Sequence, residues 1–277
     1  MRILITGAAG SIGRKLRTDI AGEYGPLRLT DIIEIYPAGD GEEVVTADLS
    51  DMDQVMELVK NVDVIIHLAA SLGAVRENGK VVGETPWGKI LNNNICGTYN
   101  IFEAARQSGV KRVVYASSIH AHGFYRKTTQ VGDHLPPRPD SRYGLSKAFG
   151  EALGRYYADK FSLEVVALRI ATYKPEPTVE RDLGTWLSPD DMVRLARASI
   201  DTIDVHFDVL YGVSNNKRGL YIDPNARRFG YFPEDDSEVY REKLLSEKTA
   251  DEPPLERLFH AAHLAATEFD GDISKIT

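Results

Sequence analysis

The first thirteen residues constrain the chain most. Ile3-Leu4-Ile5-Thr6 is a short apolar run, and Gly7-Ala8-Ala9-Gly10-Ser11-Ile12-Gly13 follows it directly, ahead of a helical pattern from Ser11 to about Ala21. A strand that is apolar throughout is buried on both faces, which calls for parallel neighbours with helices above and below them. In such a turn the first glycine permits the tight reversal and the second lets the backbone approach a pyrophosphate. The third lets the helix pack closely on the strand, and phosphates then meet free N–H groups at the helix N-terminus. The spacing is Gly-x-x-Gly-x-x-Gly rather than Gly-x-Gly-x-x-Gly. Glycine-rich turns also serve structural ends alone; placement straight after the first strand favours a nucleotide site.

The rest of the chain keeps that alternation. Strands are expected at 27–30, 44–47, 62–68, 112–116 and 164–169, with a late one at 207–211. Helices are expected at 51–59 with Ser50 as N-cap, at 87–107 with Gly109 as the stop, and at 143–159. Segment 73–85 is polar, contains glycine and has no period, and reads as a loop over the carboxyl edge of the sheet. After Ile170 the pattern is broken by Pro175, Pro177, Pro189, Pro224 and Pro233, and Ser188-Pro189-Asp190-Asp191 reads as N-cap, first-turn proline and acidic helix start. The expected architecture is α/β: a Rossmann-type doubly wound parallel sheet over residues 1–170, carrying the nucleotide site. A small C-terminal mixed α/β substrate lobe over 171–277 returns its late strand to the sheet.

Composition excludes several classes. A formal charge of −8 argues against a general binder of nucleic acid or anionic membrane. No apolar run reaches membrane-spanning length, and Met1 leads straight into the first strand with no signal-peptide pattern. The single cysteine, Cys96, allows no internal disulfide and reads as a small core residue in a helix; a cytoplasmic protein is the expectation. No His/Cys/Asp/Glu cluster has metal-ligand spacing, so no metal is expected.

Asp31 closes the second strand, where a carboxylate accepts hydrogen bonds from adenosine ribose hydroxyls and repels a 2′-phosphate, favouring NAD over NADP. Asp48-Leu49 after the third strand can flank an adenine ring. Tyr143-Gly144-Leu145-Ser146-Lys147 puts a phenol and an ammonium on one helix face, where the cation lowers the phenol's pKa toward a usable base. Such a pair is common on helix surfaces. Here Ser117-Ser118 ends the fifth strand at the edge where these sheets bind ligands, and Ser118 can hydrogen-bond the reacting oxygen.

These pieces, together with His67-Leu68-Ala69-Ala70, Asn94-Ile95-Cys96-Gly97-Thr98 and Gly230-Tyr231-Phe232-Pro233, make nearly the whole chain resemble the extended short-chain dehydrogenase/reductase family. Within it, the chain is similar to the uronate dehydrogenases, on Ala116-Ser117-Ser118-Ile119-His120, Arg138-Pro139-Asp140-Ser141-Arg142-Tyr143-Gly144, Pro175-Glu176-Pro177 and Arg181-Asp182-Leu183-Gly184-Thr185-Trp186. The resemblance implies NAD-dependent oxidation of glucuronate or galacturonate at C1 to the aldarolactone, with Tyr143, Lys147 and Ser118 catalytic. It implies cofactor contacts from Gly7, Gly10, Ser11, Ile12, Gly13, Asp31, Asp48, Leu49, Leu68, Ala69, Ala70, Asn94, Tyr143, Lys147 and Ile170. It implies sugar contacts from Ser71, Ser118, Ile119, His120, Tyr143 and Thr172, and an Arg181 grip on the carboxylate, for which a guanidinium fork is suited. The chain departs from that family in two places: Ile119 stands where those enzymes usually carry Asn, and the loop after Ala70 is about ten residues longer and brings Arg76 and Lys80.

His67 reads as a packing residue, His122 and His134 as surface or loop residues, and Glu234-Asp235-Asp236 as a solvated helix start. Three other functions stay open: a dehydrogenase of another acidic or phosphorylated aldose, a sugar-nucleotide epimerase or dehydratase, and a non-catalytic NAD sensor. The substrate partner is a small sugar acid, and a homo-oligomer is expected.

Overall fold

A computed structural model describes residues 1–246 and 254–276. Seven parallel strands form the central sheet. In chain order the elements are β1 (Ile3–Thr6), α1 (Ser11–Asp19), β2 (Leu27–Asp31), β3 (Glu42–Thr46), α2 (Met52–Leu58) and β4 (Val64–His67). A two-stranded excursion, β5 (Ala74–Glu77) and β6 (Lys80–Glu84), precedes a helical stretch of α3 (Trp87–Lys89), a π-helical segment (Ile90–Cys96) and α4 (Gly97–Ser108). Then come β7 (Arg112–Ser118), α5 (Arg142–Phe161), β8 (Glu164–Ile170), the short β9 (Thr172–Tyr173), α6 (Asp182–Thr185), β10 (Trp186–Leu187), α7 (Pro189–Asp201) and β11 (Phe207–Gly212). The sheet order is β11-β8-β7-β4-β1-β2-β3, so the chain leaves β1 in one direction and returns in the other. The crevice beyond β1 and β4 is the topological switch point, where such sheets bind ligands.

Strand alternation explains the layers. Ile3 and Ile5 of β1 pack with Leu16 and Ile20 on α1's side and with Leu195 of α7, while Leu4 between them faces Phe102 of α4 and Tyr157 of α5. Each such buried side chain contributes roughly 1.5–3 kcal/mol. The register aligns the carboxyl ends: Thr6 lies beside Thr30 on one side and His67 on the other, and Ser118 beside Ile170. The segments that leave these strand ends therefore meet in one crevice. The chain after Ile170 supplies α7 and β11 to this body, β11 pairing with β8 as expected of the late strand, and also the segments above the crevice.

Some local expectations change. Segment 73–85 is not a structureless loop but the antiparallel hairpin β5–β6, turned at Asn78 and Gly79, both with positive φ. The long helix is interrupted by the wide π turn at Ile90–Cys96, in which Cys96 is only half-buried. Asp51, not Ser50, caps α2, accepting from the backbone N–H groups of Asp53 and Gln54; the Ser50 hydroxyl is spent on Asp48. His122 is buried rather than on the surface, with Nε2 on the Leu135 carbonyl. Glu234 and Asp235 are not merely solvated: their backbone N–H groups donate to Asp191 at the start of α7.

Candidate active site

The crevice is a cavity of about 920 Å³, near the top of the ~300–1,000 Å³ range of small-molecule sites and large enough for a dinucleotide with a small second ligand. Its floor at one end is the glycine turn. Gly7 has φ +68°, and a Cβ there would lie 2.7 Å from the backbone nitrogen of Ala69. A Cβ on Gly13 would lie 2.5 Å from the Gly7 carbonyl oxygen. Only glycines let β1, the 68–70 segment and α1 approach this closely. No side chain caps α1, so its first N–H groups face the cavity at Ser11, Ile12 and Gly13, where an anion is stabilised by the helix dipole. Asp31 lines the same end and is held by the Ala9 N–H at 3.0 Å. Asp48 and Leu49 line it too, as do Leu68, Ala69, Ala70 and Ile170.

At the other end the expected trio comes together. Ser118 ends β7, and Tyr143 and Lys147 stand one turn apart on α5, whose N-cap is the Ser141 hydroxyl bonding the Gly144 N–H. Tyr143 and Ser118 line the cavity together, close enough for the Ser118 hydroxyl to act on the phenol. The Lys147 Nζ sits 5.4 Å from the Tyr143 ring centre and donates to the Ala116 carbonyl at 2.7 Å. Burial dominates both groups. It pushes the Tyr143 phenol up to about 12 against the lowering effect of the Ser118 hydroxyl, and drives the Lys147 ammonium down to about 7. The lysine's lowering of the phenol, expected from the helical spacing, is thus not what this geometry shows, because the ammonium points to a backbone carbonyl.

His120 lines the cavity, its ring edge-on to Tyr143 at 5.8 Å, with Nδ1 2.7 Å from the Asp140 carboxylate. Asp140 is almost fully buried, and Gly123 and Gly144 leave the room it and the His120 backbone need. Ser71 lines the cavity, held at both backbone ends by Asn94.

Four expected residues stand elsewhere. Asn94 lies behind the wall, bonding Ser71 and Ser146. The side chain of Ile119 turns away into an apolar cluster with Tyr125, Val131 and Tyr211, so it does not face the sugar as expected. Thr172 turns toward α6, bonded to Thr185. Arg181 is half-buried beside it, with Nη1 on the Thr172 hydroxyl and Nη2 on the His260 carbonyl at 2.8 Å. Residues that sequence reasoning missed include Tyr173, His263 and Leu264. The last two belong to a C-terminal segment with no motif; Leu264 presses on Gly73, where a Cβ would lie 2.7 Å from its Cδ1. His67 packs as expected, between Thr6 and Thr98, and burial holds its imidazole down to about 3.

Residues 3–177 match the model of the NAD dependent epimerase/dehydratase family. The chain belongs to that family. It is 45% identical over 255 residues to a uronate dehydrogenase of Pseudomonas syringae pv. tomato, covering 91% of this chain and 89% of the relative. It is 36% identical over 256 residues to an NAD-dependent glucose-6-phosphate dehydrogenase of Haloferax volcanii, covering 85% of this chain and 94% of that one. A mutant of the uronate dehydrogenase from Agrobacterium tumefaciens, complexed with NAD, superposes with a TM-score of 0.89 at 37% identity, covering 96% of this chain and 97% of that one. Among the described residues no helix is long and apolar enough to cross a membrane, and no cluster of His, Cys, Asp or Glu is placed to hold a metal.

Proposed function

We propose that this protein is an NAD-dependent uronate dehydrogenase, oxidising the C1 hydroxyl of free glucuronate or galacturonate to the aldarolactone. The observation that carries the reading is the convergence of Tyr143, Lys147 and Ser118 on the same cavity that the glycine cradle lines. The cradle fits the cofactor: Gly7, Gly10 and Gly13 open the room a pyrophosphate needs, the first N–H groups of α1 meet its charge, and Asp31 receives the ribose hydroxyls. When bound, NAD accepts the hydride from C1. Tyr143, as its phenolate, would take the C1 hydroxyl proton at its Oη. Ser118 holds the C1 oxygen on the line to Tyr143; Lys147, with its Nζ on the Ala116 carbonyl, is placed to hold the cofactor ribose, and the cationic nicotinamide of bound NAD would lower the phenol from its buried value. His120, fixed by Asp140, presents its other ring nitrogen to a sugar hydroxyl. Arg181, one layer back, ties Thr172 to the His260 carbonyl and so holds the segments above the crevice together. The full trio in a lined cavity argues against a sensor, and the short lobe leaves little room for the nucleotide diphosphate that an epimerase must hold.

The test is net NADH formation, followed by absorbance, on free glucuronate and galacturonate beside their neutral aldoses. Tyr143→Phe should lose ~10²–10⁴-fold in kcat, the usual worth of a general base, with NAD still bound. Absence of NADH on every free aldose would overturn the reading in favour of an epimerase.

A further inference from the structure

Hairpin β5–β6 gives Ala74 and Arg76 to the cavity lining, and its base is braced to α5, which carries Tyr143. The Glu84 carboxylate accepts from the backbone N–H of Arg142 at 2.6 Å, the residue before Tyr143. The Glu84 N–H donates to Glu268, which also binds the Arg142 guanidinium. The Thr85 hydroxyl and N–H close the hairpin base on Leu72 and Gly73. The hairpin is therefore a fixed wall.

It carries Arg76 into the cavity lining. One guanidinium nitrogen of Arg76 donates to the Gly79 carbonyl at 3.1 Å, which folds the side chain across its own turn and leaves the other donors unspent. Among the described residues Arg76 has no carboxylate within ion-pair distance, unlike Arg142 on the same wall. Arg181, by contrast, has Nε and Nη2 on the His260 carbonyl and Nη1 on Thr172. The positive charge acts together: His263, also in the lining, is held down to about 4, first by burial and then by His120, Arg76 and Arg181. An exposed guanidinium at the edge of a ligand cavity, with no carboxylate partner among the described residues, matches carboxylate or phosphate oxygens.

We propose that Arg76 is a specificity-determining residue of this site: it reads an anionic group, carboxylate or phosphate, at the end of the sugar remote from C1. The proposal rests on the dehydrogenase reading above. It assigns the hairpin the part of a built-in acid reader, so that acidic aldoses gain over neutral ones without any change in the chemistry at C1.

Arg76→Gln and Arg76→Lys are compared with wild type on glucuronate, glucose 6-phosphate and glucose, with NAD saturating. The expected result is a fall of at least tenfold in the acid-to-neutral ratio of kcat/KM for Arg76→Gln, carried mainly by KM, with partial recovery in Arg76→Lys. KM for the acid should rise with salt in wild type and lose most of that dependence in Arg76→Gln, which a structural role of the hairpin would not produce. A fall for glucuronate alone identifies the carboxylate as the ligand, a fall for glucose 6-phosphate alone identifies the phosphate, and a fall for both identifies an anion reader of either kind. Unchanged ratios for both acids overturn the proposal while leaving the dehydrogenase reading in place. Wild type inactive on all three sugars overturns the reading beneath it.

Discussion

Lys147 is buried at a cost, and the cost depends on pH in a way that can be measured. Its ordinary value is 10.5, and in the fold burial takes it to about 7. Between those values the unfolded chain holds a proton that the folded chain has shed, so stability rises with pH across that window. The penalty is fully present below about 7 and gone above about 10.5. Lys147→Met removes the buried charge. Its denaturation midpoint should therefore exceed that of wild type near neutral pH, with the gain shrinking steadily on the alkaline side, while turnover is lost. A gain that grows with pH, or none at neutrality, would mean that the bond to Ala116 outweighs the burial. The residue scale is also where the sequence read best and worst. Tyr143, Lys147 and Ser118 were legible because helical spacing and a strand end fix their directions. Ile119 and Arg181 were not: Ile119 lies on a short 3₁₀ turn and Arg181 at the edge of a four-residue helix, where side-chain direction is set by tertiary neighbours such as His260 and Tyr211.

The element that matters most for the cofactor is the turn between β1 and α1, and its glycines are not equivalent to others in the chain. Gly22 also has a positive φ, +78°, yet nothing lies within 4 Å of a Cβ built on it. Gly22→Ala should cost only the left-handed backbone penalty of roughly 1–2 kcal/mol and leave NAD affinity alone. Gly13→Ala puts a methyl against the Gly7 carbonyl and the Ala8 backbone, neither of which can give way without reshaping the cradle. NAD affinity by calorimetry should fall at least tenfold, about 1.4 kcal/mol. Equal affinities in the two variants would show that the cradle does not touch the pyrophosphate. This turn was plain in the sequence because it stands directly between the first apolar strand and a helical pattern. The hairpin β5–β6 was missed although Asn78-Gly79, the strongest short hairpin signal, stands at its turn. Its flanking strands are short, mostly exposed and irregular at Val75/Arg76, so no period of two advertised them.

At the scale of the whole molecule, α5 serves the site with one face and the fold with another, and the two are joined through a buried ion pair. Glu151, two turns beyond Tyr143, takes the Arg169 guanidinium of β8 bidentately at 2.9 and 3.0 Å and also accepts from the Ser117 hydroxyl at 2.6 Å. Arg169 uses Nη1 on the Gly132 carbonyl and the Tyr211 hydroxyl, so five separate segments meet at one charge pair. The sheet order and the two-sided core were legible from the strand pattern; this network was not, since an acid in mid-helix and an arginine in mid-strand give no sign of each other 18 residues apart. Breaking a buried pair by removing one partner leaves the other charge uncompensated, at about 3–5 kcal/mol, whereas removing both with apolar groups of similar size is often close to neutral. Glu151→Leu should therefore lower stability by that amount in urea unfolding at unchanged m-value. Glu151→Leu with Arg169→Met should recover most of it. Because Ser117 precedes Ser118, the double variant, stable but without the anchor on Ser117, should still show a reduced kcat with KM for NAD unaltered. If the double variant is as unstable as the single one, the pair holds α5 on the sheet by geometry that apolar packing cannot replace, and if its kcat is unchanged, the alignment of Ser118 with Tyr143 is fixed by β7 alone.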